Sequence, residues 1–178
     1  LKQQIMQWEV YQITHLMKWF LLIDQLIIDM IRKALDRDIT GIIKVVQEAH
    51  EKSISKTVPL DVKTLRKNIQ VCVLSAEHLV LVVELDGEIE GAFIGVTHQL
   101  WYSRKKQSAD LFFYVTEKGT GYGASLMRRF ITWSKKNNGV REITLGISSG
   151  IGDSDRVKQL YQRMGGVRVG DNFVVPQE

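Results

Sequence analysis

The sequence predicts a single domain of the α/β (α+β) class. It is expected to contain a mixed, twisted sheet of about six to seven strands with helices on both faces. Its 178 residues, 44% of them apolar, suffice for one compact core. Short β-branched runs alternate with segments of helical periodicity. The pair Asp86-Gly87 joins two such runs, as in a type I′ hairpin. This order favours an antiparallel first half and strand-helix-strand units in the second half.

The first half is predicted to contain a strand, two helices and a hairpin. Residues 31–35, IRKAL, suit a short strand, and Asp36 or Asp38 is the candidate N-cap of the amphipathic helix that follows. Pro59 ends that segment, and Asp61 is the predicted cap of a second helix. The hairpin occupies residues 78–98.

The second half is predicted to alternate strands and helices. A strand at 109–115 precedes a helix from Gly121 to about Asn137, and a strand at 141–147 precedes a helix opened by Ser154. Residues 167–175 predict one or two short closing strands. The expected order is therefore β, α, α, β, β, β, α, β, α, β, with room for a final strand.

Residues 1–29 are predicted to be an amphipathic helical extension of a domain that spans residues 30–178. Lys18 and Asp24 interrupt the apolar run before it reaches the ~20 residues needed to cross a bilayer, so no membrane span is expected. The segment also lacks the pattern of a signal peptide. It is expected either to dock on the body or on a second copy as a homodimer, or to be an appendage with little function.

Charge and cysteine content restrict the class of protein only broadly. A net charge of +4 and a pI near 9.2 favour anionic ligands in general. Cys72 is the single cysteine, so no internal disulfide can form, which predicts a reducing, cytoplasmic location. Cysteine and histidine do not occur at zinc-site spacing, so no metal is expected.

Three glycines at alternate positions, Gly119, Gly121 and Gly123, separate a predicted strand from a predicted helix. Free N–H groups and the positive end of the helix dipole meet at such a point, which suits a phosphate. A Walker A loop is excluded, since it requires Lys-Ser/Thr after its last glycine and Ala124-Ser125 follows here. A dinucleotide fingerprint fits Gly119 to Ala124, but it lies too late in the chain for that fold.

The run Lys118-Gly119-Thr120-Gly121-Tyr122-Gly123 resembles the Q/R-x-x-G-x-G/A loop of the GNAT superfamily of acyl-CoA N-acyltransferases, with Lys in place of Gln or Arg. The resemblance covers about residues 30–175 and includes the element order. The segment SDRVKQLYQRMGG is similar to the family's late helix, which ends in Tyr-x-x-x-Gly. The later segments look most like phage-encoded or prophage-associated members.

The resemblance implies acetyl-CoA as co-substrate and an amine as acceptor. The strand Leu111 to Val115 would part from its neighbour to admit pantetheine, and Tyr161 would protonate the departing thiolate. A backbone N–H of Phe113, Tyr114 or Val115 would meet the thioester carbonyl. The loop would hold the CoA pyrophosphate through Lys118, Gly119, Thr120, Gly121, Tyr122, Gly123 and Ala124.

The general base is assigned less directly. Asp110, at the mouth of the central strand, is the first candidate, and Glu84 or Glu90 on the hairpin are alternatives. His98 is a weaker candidate for contact with the acceptor. Trp101 and Tyr102, which precede a basic triplet, would either flank the acceptor pocket or cap the core. Cys72 has no activating partner in the sequence, which argues against an acyl-cysteine intermediate.

The sequence therefore predicts an enzyme that transfers an acetyl group from acetyl-CoA to an amine of a small molecule, peptide or protein. One alternative is a binding or virion-assembly protein that keeps the fold without turnover. Another is a toxin-like acetyltransferase of aminoacyl-tRNA, suggested by the basic pI. Nucleic acid is otherwise not an expected partner.

Overall fold

The computed structural model describes residues 30–147 and 150–170, together with His15 and Lys18, which are both helical. The predicted extension at 1–29, with its docking role, otherwise lies outside the described residues. Four α-helices and five strands make up the described body, in the order predicted for the first nine elements. They are β1 Ile31–Lys33, α1 Ile39–Lys52, α2 Val62–Leu74, β2 His78–Leu85, β3 Glu88–Gln99, β4 Lys106–Val115, α3 Gly123–Lys136, β5 Val140–Thr144 and α4 Ser154–Arg163.

The strands form one mixed sheet in the order β1-β2-β3-β4-β5. The first three pairings are antiparallel, and β5 runs parallel to β4. This confirms the predicted fold class and the split between an antiparallel and a strand-helix-strand half. The described residues contain five strands rather than six or seven: residues 167–170, predicted to start a closing strand, form none, and residues 171–175 lie outside the description.

Local sequence signals account for most of the element boundaries. Asp86 and Gly87 have φ values of 51° and 82°, which confirms the type I′ hairpin turn. Asp61 caps α2 by accepting a hydrogen bond from the Thr64 N–H at 3.0 Å, as predicted. Helix α4 begins at Ser154, as predicted, and Asp153 before it is the cap, because its side chain accepts from the N–H groups of Asp155 and Arg156.

Asp38 occupies the predicted N-cap position of α1, but its carboxylate serves another purpose. It accepts a hydrogen bond from the Leu35 N–H and is held by the Arg32 guanidinium, with N–O distances of 2.6 and 2.8 Å. Arg32 also pairs with Glu84 on β2. This charge cluster, in which Asp38 is buried, therefore ties the start of α1 to the edge of the sheet.

Helices cover both faces of the sheet, as predicted, because alternate strand residues point to opposite sides. Val80, Val82, Ala92 and Ile94 pack with the apolar faces of α1 and α2. On the other face, Leu79, Leu81, Val83 and Phe93 pack with Leu126, Met127 and Phe130 of α3. The rings of Phe93 and Phe130 lie 4.7 Å apart between centroids.

Candidate active site

The parallel strands β4 and β5 separate halfway along β4. Their pairing runs from Lys106 opposite Val140 to Ala109 opposite Thr144, and within the described residues it ends there. Residues 110–115 of β4 pair only with β3. Leu111 is a bulge residue without a partner on β3, since Gly95 pairs with Asp110 and Ile94 with Phe112. The splayed strand expected at 111–115 is thus present in the geometry.

A cavity of about 910 Å³ opens at this separation. The unpaired half of β4, the loop before α3, the end of α1 and helix α4 all contribute to its walls. On one side, the segment after β5 meets the segment after α1 where Gly150 packs against Ile54. The site residues predicted from the sequence that line the cavity are Asp110, Phe113, Tyr114, Val115, Thr120, Gly121, Gly123, Ala124 and Tyr161.

The loop before α3 presents backbone N–H groups toward this cavity. Gly121 has φ of +106° with open space where a Cβ would be, which is a conformation that favours glycine. Within the part of the chain that the structure describes, the N–H groups of Gly121, Gly123 and Ala124 donate to no protein acceptor. They lie at the N-terminus of α3, where the helix dipole is positive. The arrangement suits a phosphate group.

Three predicted loop residues are not among those that line the cavity: Lys118, Gly119 and Tyr122. Gly119 is buried against the carbonyl of Glu90, so closely that a Cβ would overlap the oxygen. The Lys118 side chain is 80% exposed and lies 3.6 Å from the Glu90 carboxylate. Tyr122 packs on the α3 side of the sheet.

Glu90, an alternative candidate for the base, anchors the loop instead. It is the bulge residue of β3 opposite β2, since Val83 pairs with Gly91 and Glu84 with Ile89. Its carbonyl accepts from the Thr116 N–H at 2.9 Å, and its carboxylate accepts from the Thr116 hydroxyl. The sheet therefore fixes the start of the phosphate-type loop.

Asp110 and Tyr161 are both hydrogen-bonded to the backbone of Gly146. The Gly146 N–H donates to Asp110 Oδ1 at 2.8 Å, and the Tyr161 hydroxyl donates to the Gly146 carbonyl at 3.1 Å. Burial raises the pKa of the Asp110 carboxyl above its usual value. Burial, together with the nearby charge of Asp110, raises the pKa of the Tyr161 phenol well above its usual value. The phenol therefore keeps its proton at neutral pH.

The other candidates from the sequence lie elsewhere. Glu84 is paired with Arg32, and His98 is exposed on β3 opposite Gln107; neither lines the cavity. Trp101 is 94% exposed in the loop between β3 and β4, so it does not cap the core. Cys72 packs on the α1 and α2 side of the sheet, and burial raises the pKa of its thiol.

Sequence reasoning missed the imidazole and the two guanidinium groups that line the cavity: His50 at the end of α1, and Arg156 and Arg163 on α4. Among the described residues, neither arginine has an ion-pair partner. Their spacing of seven residues puts them on one face of a helix and was available as a signal. The position of His50 depends on how α1 packs and had no local signal.

Comparison with solved structures identifies the fold. A possible acetyltransferase from Clostridium difficile 630 shares 14% identity over 83% of this chain and 96% of its own, with a TM-score of 0.63. Glucosamine-6-phosphate N-acetyltransferase from Arabidopsis thaliana shares 15% identity over 83% and 97%, with a TM-score of 0.64. A predicted acetyltransferase with acetyl-CoA from Clostridium acetobutylicum shares 14% over 82% and 94%, with a TM-score of 0.62. The chain has the GNAT acetyltransferase fold.

Because the identities are only 14–15%, the similarity to these three solved structures shows the fold alone. No family model and no curated protein matches the chain. The three structures also give no support to a phage or prophage origin. In the described part of the chain, no helix is long and apolar enough to span a membrane, and no group of three or more metal-ligating side chains is found.

Proposed function

We propose that the protein is an N-acetyltransferase that transfers the acetyl group of acetyl-CoA to an amine of a small molecule, peptide or protein. One observation carries the proposal: the ladder between β4 and β5 ends where a cavity begins, and that cavity contains free loop amides and Tyr161. Cytoplasmic location and a dimer formed through residues 1–29 remain predictions from the sequence.

The cavity offers a match for the pyrophosphate and for the pantetheine of CoA. Its pyrophosphate would accept hydrogen bonds from the N–H groups of Gly121, Gly123 and Ala124, with Gly119, Thr120 and Tyr122 shaping the loop. Arg156, Arg163 and the exposed Lys118 supply positive charge for the phosphates. Pantetheine is a chain of amides, and the unpaired backbone of residues 111–115 provides donors and acceptors for it.

The reacting end of the cavity supplies what acyl transfer requires. The thioester carbonyl develops negative charge as the amine attacks, and a backbone N–H of Phe113, Tyr114 or Val115 would stabilise it. The departing thiolate needs a proton, which the Tyr161 hydroxyl would give. Asp110 lies beside Tyr161 at the same end, and its assignment as the base that deprotonates the amine stays a prediction.

The test is release of free thiol from acetyl-CoA in the presence of a panel of amines. Suitable probes are glucosamine 6-phosphate, sisomicin, spermidine and a peptide with a free N-terminus. We expect release above the rate without enzyme for at least one amine, and a fall in kcat of about 100-fold or more in Tyr161→Phe. The affinity for CoA should not change, because the phenol is assigned to the chemistry and not to binding.

Two results would point away from an enzyme. Thermal stabilisation by CoA without thiol release from any amine would favour the binding or assembly protein that keeps only the fold. The absence of both stabilisation and release would remove CoA as the ligand.

A different result would favour another enzyme. A steep loss of affinity for aminoacyl-tRNA with added salt would favour the tRNA-directed acetyltransferase.

A further inference from the structure

His50 is positioned at the edge of the cavity by the last turn of α1. Together with Val46 and Ala49 of the same helix, it lines the cavity that also contains Asp110 and Tyr161. Leu60 and the hydroxyl-bearing Ser53 and Ser55 lie in the same part of the wall. This part is distinct from the loop before α3, so it is available to a second substrate when CoA occupies the loop.

The protein fixes which nitrogen of His50 carries a proton. Nε2 lies 2.9 Å from the carbonyl oxygen of Val58, and a carbonyl only accepts hydrogen bonds, so Nε2 is the donor. In the neutral ring, Nδ1 then holds the free lone pair. Within the described residues, Nδ1 has no hydrogen-bond partner. An imidazole oriented through one nitrogen with the other left free is the usual arrangement of a general base.

The carbonyl that orients His50 is itself held in place. The Val58 N–H donates to the Ser55 carbonyl at 2.9 Å, and Pro59 restricts the backbone that follows. Ser53 closes the other side, with its N–H and its hydroxyl both donating to the His50 carbonyl. The turn after α1 therefore forms a rigid support around the imidazole.

The carboxylates near the cavity are engaged in structural contacts. Asp110 Oδ1 accepts from the Gly146 N–H, and Asp153 Oδ1 accepts from the first N–H groups of α4. Glu48, two residues before His50, is bonded to Lys52 and to the Tyr114 hydroxyl. Each of these carboxylates accepts at least one structural hydrogen bond, whereas within the described residues His50 Nδ1 accepts none.

We propose that His50, through Nδ1, is the base that removes the proton of the acceptor amine, and that the amine enters between the end of α1 and the splayed half of β4. This inference rests on the proposed acetyltransferase function. It assigns Asp110 to positioning, since that carboxylate holds the peptide of Gly146 at the point where the strands part.

The transfer of atoms and protons balances with these groups. The amine nitrogen attacks the thioester carbonyl, the C–N bond forms and the C–S bond breaks. The proton lost from nitrogen goes to His50 Nδ1, and the thiolate takes the proton of Tyr161. Transfer of the His50 proton back to Tyr161 through solvent restores both groups, so the net change moves one proton from nitrogen to sulfur.

The experiment compares full-length wild type with His50→Gln and His50→Ala in the thiol-release assay, using the most active amine of the panel above. Gln keeps an N–H that can reach the Val58 carbonyl but has no basic nitrogen. We expect kcat to fall about 100-fold or more in both variants, with the CoA dissociation constant from calorimetry unchanged. Added imidazole should restore part of the rate of His50→Ala and none of the rate of Tyr161→Phe. His98→Gln, an exposed histidine outside the cavity, is the matched control and should keep the wild-type rate.

The outcomes separate this inference from the proposed function. If the wild type releases thiol and His50→Gln keeps a rate within threefold of the wild-type rate, the proposed role of His50 is overturned. The proposed acetyltransferase function then still holds. If His50→Ala loses activity, binds CoA more weakly and is not rescued by imidazole, then His50 has a structural role. That result would also overturn its assignment as the base. If wild type binds CoA but releases no thiol with any amine, the proposed function fails and this inference fails with it.

Discussion

The two halves of β4 belong to one strand but have different neighbours in the sheet. Residues 106–109 are hydrogen-bonded to β3 on one edge and to β5 on the other, and Ser108 is fully buried with its hydroxyl 3.0 Å from that of Thr97. Residues 110–115 are bonded on one edge only. Unpaired backbone inside a sheet is costly unless something else binds it. The difference indicates that the candidate site is made by ending a ladder.

Side chains replace the missing ladder at the point of separation. Gly146 lies two residues beyond the last paired residue of β5, and its N–H donates to Asp110 while its carbonyl accepts from Tyr161. The bulge at Leu111 shifts the register of β4 at the same place. These contacts leave the edge of residues 111–115 that faces away from β3 free for a ligand.

The largest effect is expected from a substitution in the loop before α3. It tests whether CoA is the ligand of the cavity beside the unpaired half of β4, residues 110–115. Gly121→Val places a β-branched side chain at φ of +106° in the space above the free loop amides. We expect CoA affinity to fall by about 100-fold in calorimetry, since steric exclusion and backbone strain of about 1–3 kcal/mol act together.

Gly87→Val is the matched control for Gly121→Val. Gly87 also has positive φ, at 82°, and open space around its Cβ position, but it lies in the hairpin turn away from the cavity. A similar loss of stability in both variants, with CoA affinity lost only in Gly121→Val, is the expected pattern. Equal CoA affinity in the two variants would mean that the loop does not contact the cofactor.

A smaller effect is expected at Gly119, where β3 supports the loop before α3. The Cβ of Gly119→Ala would overlap the carbonyl oxygen of Glu90, and neither backbone can move freely. We expect the free energy of unfolding in urea to fall by about 1–3 kcal/mol. Gly170→Ala, whose Cβ would meet nothing within 4 Å, should leave it unchanged. Equal stability of the two variants would contradict the anchoring role of Glu90.

The smallest effect is expected at Asp110, which lies at the boundary between the paired and the unpaired half of β4. Burial raises the pKa of Asp110 above its usual 3.8, so the folded state holds that proton more tightly than the unfolded state. Stability therefore falls as pH rises from 3.8 through the raised pKa. Asp110→Asn removes this cost and keeps an oxygen for the Gly146 N–H.

Thermal unfolding as a function of pH measures the effect of Asp110→Asn. The variant should be at least as stable as wild type at neutral pH, and the advantage should vanish below the unfolded-state pKa. A variant markedly less stable at pH 7 would show that the ionised carboxylate stabilises the fold. A loss of kcat larger than that of His50→Gln would instead support Asp110 as the base.

The sequence predicted the order of the elements well because its signals were local. Turn chemistry at Asp86-Gly87, the cap at Asp61 and the glycines before α3 each act within a few residues, and each was confirmed as a structural feature. The late helix begins at Ser154, as predicted, and Asp153 provides its cap; both residue types are good caps, so the choice between them depends on geometry.

The arrangement of side chains around the cavity was harder to predict. Glu90 was a candidate base from its place on the hairpin, but a bulge turns it toward Thr116, and no pattern in the sequence indicates that bulge. His50 reads as the end of an amphipathic helix, and only the packing of α1 brings it to the cavity. Such contacts join residues far apart in the chain, so periodicity and spacing do not reveal them.

Hydrogen exchange with and without CoA tests the central claim most directly. If CoA lies between the separated strands, those amides of residues 111–115 that face away from β3, and the amides of Gly121, Gly123 and Ala124, should exchange more slowly when it is bound. The amides of residues 106–109, already paired on both edges, should change little. Saturation with CoA that leaves both the open half of β4 and the loop unprotected would contradict the account.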